Sequence, residues 1–239
     1  MVMKLIDRTL SFWVENKWKY KLHHNCVRVH GTGNLRVGSA FRLSNSSIFI
    51  DNGSTLTVEN DVLIENCQMY INGNVKIGHH TQLKNGQYLI EDGKLTIGHH
   101  SKLTARRFWV RFGGEVSVGN YTNMNEGSEV RCDESVCIGD YNQISYNVNI
   151  WDTNTHNVYP SGKRREIAEK YWPYFGKEIE RPKTRPIHIG DDCWIGENTS
   201  ILKGTNLSNN VIVGFGTVLT GVKVEEGKTV MNKVELRIL

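Results

Sequence analysis

Large apolar residues fall six positions apart along most of this chain, in sets of three that return every 19 to 21 residues. Val37, Leu43 and Phe49 are followed by Val58, Ile64 and Tyr70, then Ile77, Leu83 and Leu89, then Ile97, Leu103 and Trp109. Val118, Met124 and Val130 come next, then Ile138, Ile144 and Ile150. After a break the step resumes through Ile189, Ile195, Ile201, Leu207, Val213 and Leu219. A helix repeats every 3.6 residues and a lone strand every 2, so neither carries this spacing. A short strand and a turn, taken three times, bring the chain back above its start. Each coil is then a triangle whose three sides bury one large side chain apiece against the coils above and below.

Glycine follows the inward aliphatic in phase, at Val37-Gly38, Ile77-Gly78, Ile97-Gly98, Val118-Gly119, Ile138-Gly139, Ile189-Gly190, Ile195-Gly196 and Val213-Gly214. A recurring tight corner calls for it. The residues beyond 18 per coil also cluster. Asp51-Asn52-Gly53, Asn72-Gly73 and Asp92-Gly93 are turn sequences that place a row of larger loops along one edge. The pattern predicts one elongated all-β solenoid of about eight coils. It implies a cap segment over residues 1–30, a solenoid over 31–222 with a protruding loop at 151–187, and a tail over 223–239 packed on the last coil.

Composition narrows the functions. A formal charge of +4 with no basic stripe argues against nucleic acid as a partner. Five scattered cysteines without a CxxC spacing point to a reducing compartment, and no long apolar span is visible. The first 25 residues mix Leu5, Phe12, Trp13, Trp18 and Tyr20 with lysines and Arg8. They read as a helical cap over the open first coil, or as an interfacial helix touching a membrane.

The break between Ile150 and Ile187 is too long for a corner, and long excursions from regular scaffolds carry function. It opens with Asp152, Asn154 and His156, which share a face if extended. From Asn157 to Pro186 it holds eight Lys or Arg against four Glu, interleaved with Tyr159, Tyr171, Trp172, Tyr174 and Phe175. Aromatic faces suit a sugar ring, with Tyr159 and Trp172 the candidates; a solvated helical lid accounts for the same residues.

The repeat [LIV]-G-x-x-x-x, with IGDDCWIGENTSIL over Ile189–Leu202, resembles the hexapeptide-repeat acyltransferases. RPIHIGDDCWIG over Arg185–Gly196 is similar to their maltose, galactoside and polysaccharide O-acetyltransferase branch. The resemblance implies a left-handed parallel β-helix and a homotrimer with acetyl-coenzyme A as donor and no metal. It makes His156 the general base; Asp152 is the candidate carboxylate to orient the imidazole, Asn154 the candidate to position the acceptor or a water, and Asn125 a further candidate to reach the site. Donor contacts are implied at Trp194, Glu197, Phe215 and Thr220, the backbone amides of Gly196 and Gly216 are candidates for an extended pantetheine, and Lys223, Lys228 and Lys233 are candidates for the nucleotide phosphates. The family sequence T-K-D-V-P is here Thr220-Gly-Val-Lys223, so the lysine has moved and the proline is absent.

Ile77-Gly-His-His80 and Ile97-Gly-His-His100 lie 20 residues apart, which stacks His79 on His99 and His80 on His100. The spacing does not match that of the zinc-dependent γ-carbonic anhydrases of the same superfamily, and a surface ladder is expected. The reading is an acetyl-coenzyme A-dependent O-acetyltransferase acting on a saccharide in the cytoplasm, with peripheral membrane contact through the first residues as an option. An N-acyltransferase on an amino sugar and a non-catalytic solenoid scaffold are the alternatives.

Overall fold

The computed structural model describes residues 25–173 and 178–233. The expected N-terminal helix and the end of the tail beyond Lys233 lie outside the described residues, as do Tyr174, Phe175 and Lys177. The described chain winds as a parallel β-solenoid of three sides. The second side is a nine-stranded sheet; the third and first sides join into a 16-stranded one, because strands Gln68–Ile77 and Gln87–Ile97 run through the corner between them. Strand Cys26–Val29, inside the span expected for the cap, already pairs in parallel with Ser47–Ile50. Strands Lys223–Val224 and Thr229–Val230 carry the coiling beyond residue 222.

Two of the three expected inward columns form as read. Val37, Val58, Ile77, Ile97, Val118, Ile138, Ile189, Leu207 and Val224 stack in register on the first side. Leu43, Ile64, Leu83, Leu103, Met124, Ile144, Ile195, Val213 and Val230 stack on the second. The third column is corrected by one residue in its early coils. There the inward residues are Ile48, Met69, Tyr88 and Phe108, all buried, whereas Phe49, Tyr70, Leu89 and Trp109 face outward. The corner before this side is one residue shorter in these coils. A single residue in the left-handed region, Asn45, Asn66 or Asn85 with φ between 45° and 56°, turns the chain in three of them. Asparagine tolerates that region better than other non-glycine residues. From Met124 onward the corner is longer, and Val130, Ile150, Ile201 and Leu219 point inward as expected.

The three edges differ in chemistry. The glycine corner joins first to second side, the asparagine corner joins second to third, and the loop corner joins third to first. Of the larger turns expected along the loop corner, Asp51-Asn52-Gly53 forms a turn, whereas Asn72-Gly73 and Asp92-Gly93 lie within the continuous strands; at the same corner the excursion leaves the solenoid after strand Asn149–Trp151 and returns at Ile187–Ile189. Its helix, Ser161–Lys170, buries none of its residues. No helix among the described residues is long and apolar enough to cross a membrane.

Candidate active site

The excursion is held at its root. Thr153 bridges antiparallel to Thr184, the Asn154 N–H donates to the Lys183 carbonyl at 3.0 Å, and the Asp152 carbonyl accepts from the Arg185 N–H and the Thr184 hydroxyl. The coils beneath grip it from the other side. Arg111, nearly buried, makes a paired contact with Asp133 at 2.8 Å for both bonds and donates to the Thr155 carbonyl. The Thr153 hydroxyl donates to the same Asp133, and Arg131 donates to the Thr155 hydroxyl. Thr155 sits at φ 69°, a conformation uncommon for a β-branched residue, and these bonds hold it there.

His156 follows directly. Its Nδ1 lies 2.7 Å from Oε1 of Glu178, whose side chain is only 9% exposed while the imidazole is 59% exposed. Asn157 donates to the other oxygen of Glu178 and to the Glu180 carbonyl, which fixes the carboxylate. A carboxylate on Nδ1 favours the tautomer that carries its proton there, which makes Nε2 the acceptor of a neutral ring.

Asp152 does not supply that carboxylate. It is fully buried and accepts from the backbone N–H groups of Asp133, Glu134 and Ser135, each at 2.8 Å. Its register position continues the inward column through Cys132, whose thiol lies 3.4 Å from it, so alternation turns it into the column and away from His156. Burial pushes its carboxyl above the usual range despite the three amides, and the same burial raises the Cys132 thiol. Sequence reasoning missed Glu178 because it lies 22 positions beyond His156, past an exposed helix, and no periodicity spans that gap.

The remaining expected acceptor residues are dispersed. The Asn154 side chain contacts the Lys203 ammonium at the loop corner. Tyr159 donates its hydroxyl to Glu180 and lies under Lys163. Trp172 is 74% exposed. Asn125 accepts from the Asn123 amide at the asparagine corner, away from His156. In earlier coils the same corner carries a ladder of asparagines, Asn45 donating to Asn66 and Asn66 to Asn85.

Beside the His156–Glu178 pair a cavity of about 540 Å³ opens against the third side, lined by Tyr70, Asn72, Asp92, Trp109, Phe112 and Glu178 among others. The one-residue phase shift puts Tyr70 and Trp109 there. Below them the outward column continues through Arg131 and Trp151, with the Arg131 guanidinium 4.2 Å from the Trp151 ring. The indole N–H groups of Trp109 and Trp151 are buried without a hydrogen-bond partner. Glu129, fully buried, is contacted by Arg106, Arg107 and Arg131.

No protein-family model matches the chain. It is 26% identical over 135 residues to WbbJ of Escherichia coli (strain K12), provisionally named a lipopolysaccharide biosynthesis O-acetyl transferase; the match covers 56% of this chain and 66% of that one. It is 25% identical over 142 residues to the galactoside O-acetyltransferase of the same strain, covering 59% and 62%. Less than two thirds of each relative's length is therefore matched. The solved structure of the Arabidopsis UDP-N-acetylglucosamine acyltransferase superposes with a TM-score of 0.54 at 15% identity, covering 88% of this chain and 71% of that one. The six-residue step, the three stacked columns and this superposition agree. The chain is a hexapeptide-repeat β-solenoid.

Within this solenoid most of the expected donor residues lie at a different corner from His156. Gly196, Glu197, Phe215 and Gly216 form the asparagine corner of the last coils, where the Gly216 N–H donates to the Glu197 carbonyl. Trp194, 58% exposed, stands beside them on the second side, and Phe215 is 72% exposed. Thr220 and Lys223 flank the loop corner, with Lys223 paired to Glu225. Ile212, Val218 and Met231 add to the exposed apolar surface of these coils.

Proposed function

We propose that this chain is an acetyl-coenzyme A-dependent O-acetyltransferase acting on a saccharide hydroxyl, with His156 as the general base. The observation that carries the reading is the imidazole at the mouth of the excursion, 59% exposed, with its Nδ1 held by the Glu178 carboxylate at 2.7 Å. A binding scaffold has no need of that arrangement. In the reaction, Nε2 takes the proton of the acceptor hydroxyl as its oxygen attacks the thioester carbonyl. The tetrahedral intermediate collapses, the acetyl–sulfur bond breaks, and the proton returns from the imidazolium to the departing thiolate. Glu178 stabilises the imidazolium formed midway; a positioned base of this kind contributes about 10²–10⁴-fold.

The two curated relatives are named as O-acetyltransferases, one of lipopolysaccharide biosynthesis and one of galactosides. Half-buried rings along the third side, Tyr70 and Trp109 among them, line the cavity and suit the apolar faces of sugars. Because Trp194, Gly196, Glu197, Phe215 and Gly216 stand at or beside a different corner from His156, the reading also needs two copies per site. A cyclic homotrimer would bring the loop corner of one copy against the asparagine corner of the next.

The test is release of free thiol from acetyl-coenzyme A with a panel of neutral, acidic and amino sugars. His156→Ala is expected to lose at least about a hundredfold in kcat while keeping its affinity for coenzyme A. Equal turnover by variant and parent would remove His156 from the mechanism.

A further inference from the structure

The glycine corner follows a rule of its own. In five coils the residue two positions after the inward aliphatic accepts, through a side-chain oxygen, the backbone N–H of its counterpart one coil earlier. Asn60 accepts from Ser39, Asn120 from His99, Asp140 from Asn120, Asp191 from Asp140 and Asn209 from Asp191, at 2.7–2.9 Å. Two successive coils break the rule. His79 and His99 stand where the oxygen belongs, and the His79 N–H turns to Glu59 instead. Two caps are given up at adjacent levels, and at both levels the next residue is again histidine.

The result is a block of four imidazoles. The rings of His79 and His99 lie 4.7 Å apart, as do those of His80 and His100, and Tyr121 stacks on His100 at 4.8 Å. Carboxylates hold two of the rings: Glu59 is 3.2 Å from His79 Nδ1, and Asp61 is 2.8 Å from His80 Nδ1. A histidine that gives its Nδ1 proton to a carboxylate presents a more basic Nε2, the usual support of a metal-bound imidazole. His99 Nδ1 and His100 Nδ1 approach to 3.0 Å, a separation that needs a proton or a cation between them. Nitrogens bound tetrahedrally at about 2.0–2.1 Å from zinc lie about 3.3 Å from each other. One ligand atom from each of His79, His99 and His100 lies within 4.8 Å of the others, and the partly exposed rings have room to close that distance by side-chain rotation.

We propose that His79, His99 and His100 bind a zinc-class divalent cation that clamps two successive coils at the glycine corner. This departs from the expectation of no metal, which compared the histidines with only one known spacing. Imidazole nitrogens select zinc and its neighbours over magnesium or calcium. The corner is not the one that carries His156, so the proposal stands apart from the acetyl-transfer reading.

The test uses the full chain stripped with EDTA. Zinc is titrated calorimetrically, retained metal is counted after gel filtration, and cobalt substitution is read in the visible spectrum. The parent is expected to retain one zinc per chain, to show d–d bands with cobalt, and to melt higher with zinc. The variant H79N/H99N replaces both imidazoles with the side chain this corner otherwise uses. It is expected to melt above the metal-free parent, to bind zinc at least about tenfold more weakly, and to lose the zinc-induced rise. His100→Ala, at an exposed position, provides a second reading through the same loss of affinity. A parent that retains no zinc, or variants that bind it as tightly as the parent, would overturn the proposal.

Discussion

Two acidic residues near His156 have opposite duties, and single substitutions separate them. Glu178→Gln presents an amide N–H to His156 Nδ1, which forces the ring proton onto Nε2 and removes the base. The expected outcome is a loss of about a hundredfold or more in kcat with little change in melting temperature, measured by thiol release and calorimetry. Asp152→Asn is expected to do the reverse. Its amide would meet N–H donors of Asp133, Glu134 and Ser135, so at least one stays unsatisfied, at a cost of about 1–3 kcal/mol in urea unfolding, with kcat retained. Glu129 supplies a pH test. Burial pushes its carboxyl up, but the bonds and charges of Arg131 and Arg107 outweigh this and leave it below 4.5. The unfolded chain then binds the proton more readily, so this group's contribution to stability is present above that value and is lost as pH falls through the lowered one. The stability difference between the parent and Glu129→Gln should therefore shrink as pH falls below 4.5. A difference that is flat or widens there would contradict the arginine cluster.

The strands were legible wherever their period was constant. The first and second columns are long runs of equal steps, and register follows from the buried face alone. The third column was misread because one missing residue at a corner, between Leu83 and Tyr88 for example, is invisible when Leu89 is also large and apolar. Packing settles what spacing cannot, since the inward slot takes the side chain whose Cβ points there. That places Tyr88 against Phe108 inside the column, rings 5.3 Å apart, with the Tyr88 hydroxyl buried and without a hydrogen-bond partner. Tyr88→Phe removes an unsatisfied polar atom without changing shape, and is expected to leave stability unchanged or raise it by about 1–2 kcal/mol in urea unfolding. A loss of stability would mean that the hydroxyl has a partner. His156 was readable because it opens the excursion next to periodic chain, while Glu178 was not, because nothing periodic reaches it.

At the scale of the molecule, one chain holds two halves of the proposed site on different edges. The loop corner presents His156 and Glu178; the asparagine corner of the last coils presents Phe215 and Glu197, with Trp194 beside it. On the proposed reading a complete site is therefore assembled from two copies, since the two corners lie on different edges of one triangular column. A closed ring of three supplies three equivalent junctions, each pairing a loop corner with a neighbour's asparagine corner. The mass in solution is then expected to be near three times the 27.3 kDa chain by light scattering. A stronger test uses two dead variants. His156→Ala spoils the loop corner and Phe215→Asp spoils the asparagine corner, so each homotrimer has every junction damaged. In mixed trimers formed by co-expression, a junction works when its loop corner comes from the second variant and its asparagine corner from the first. With equal amounts and random assembly this occurs at about one junction in four, so roughly a quarter of parent activity should return. If both corners of a site came from one chain, no mixture would contain an intact site, and activity would stay at the level of the separate variants.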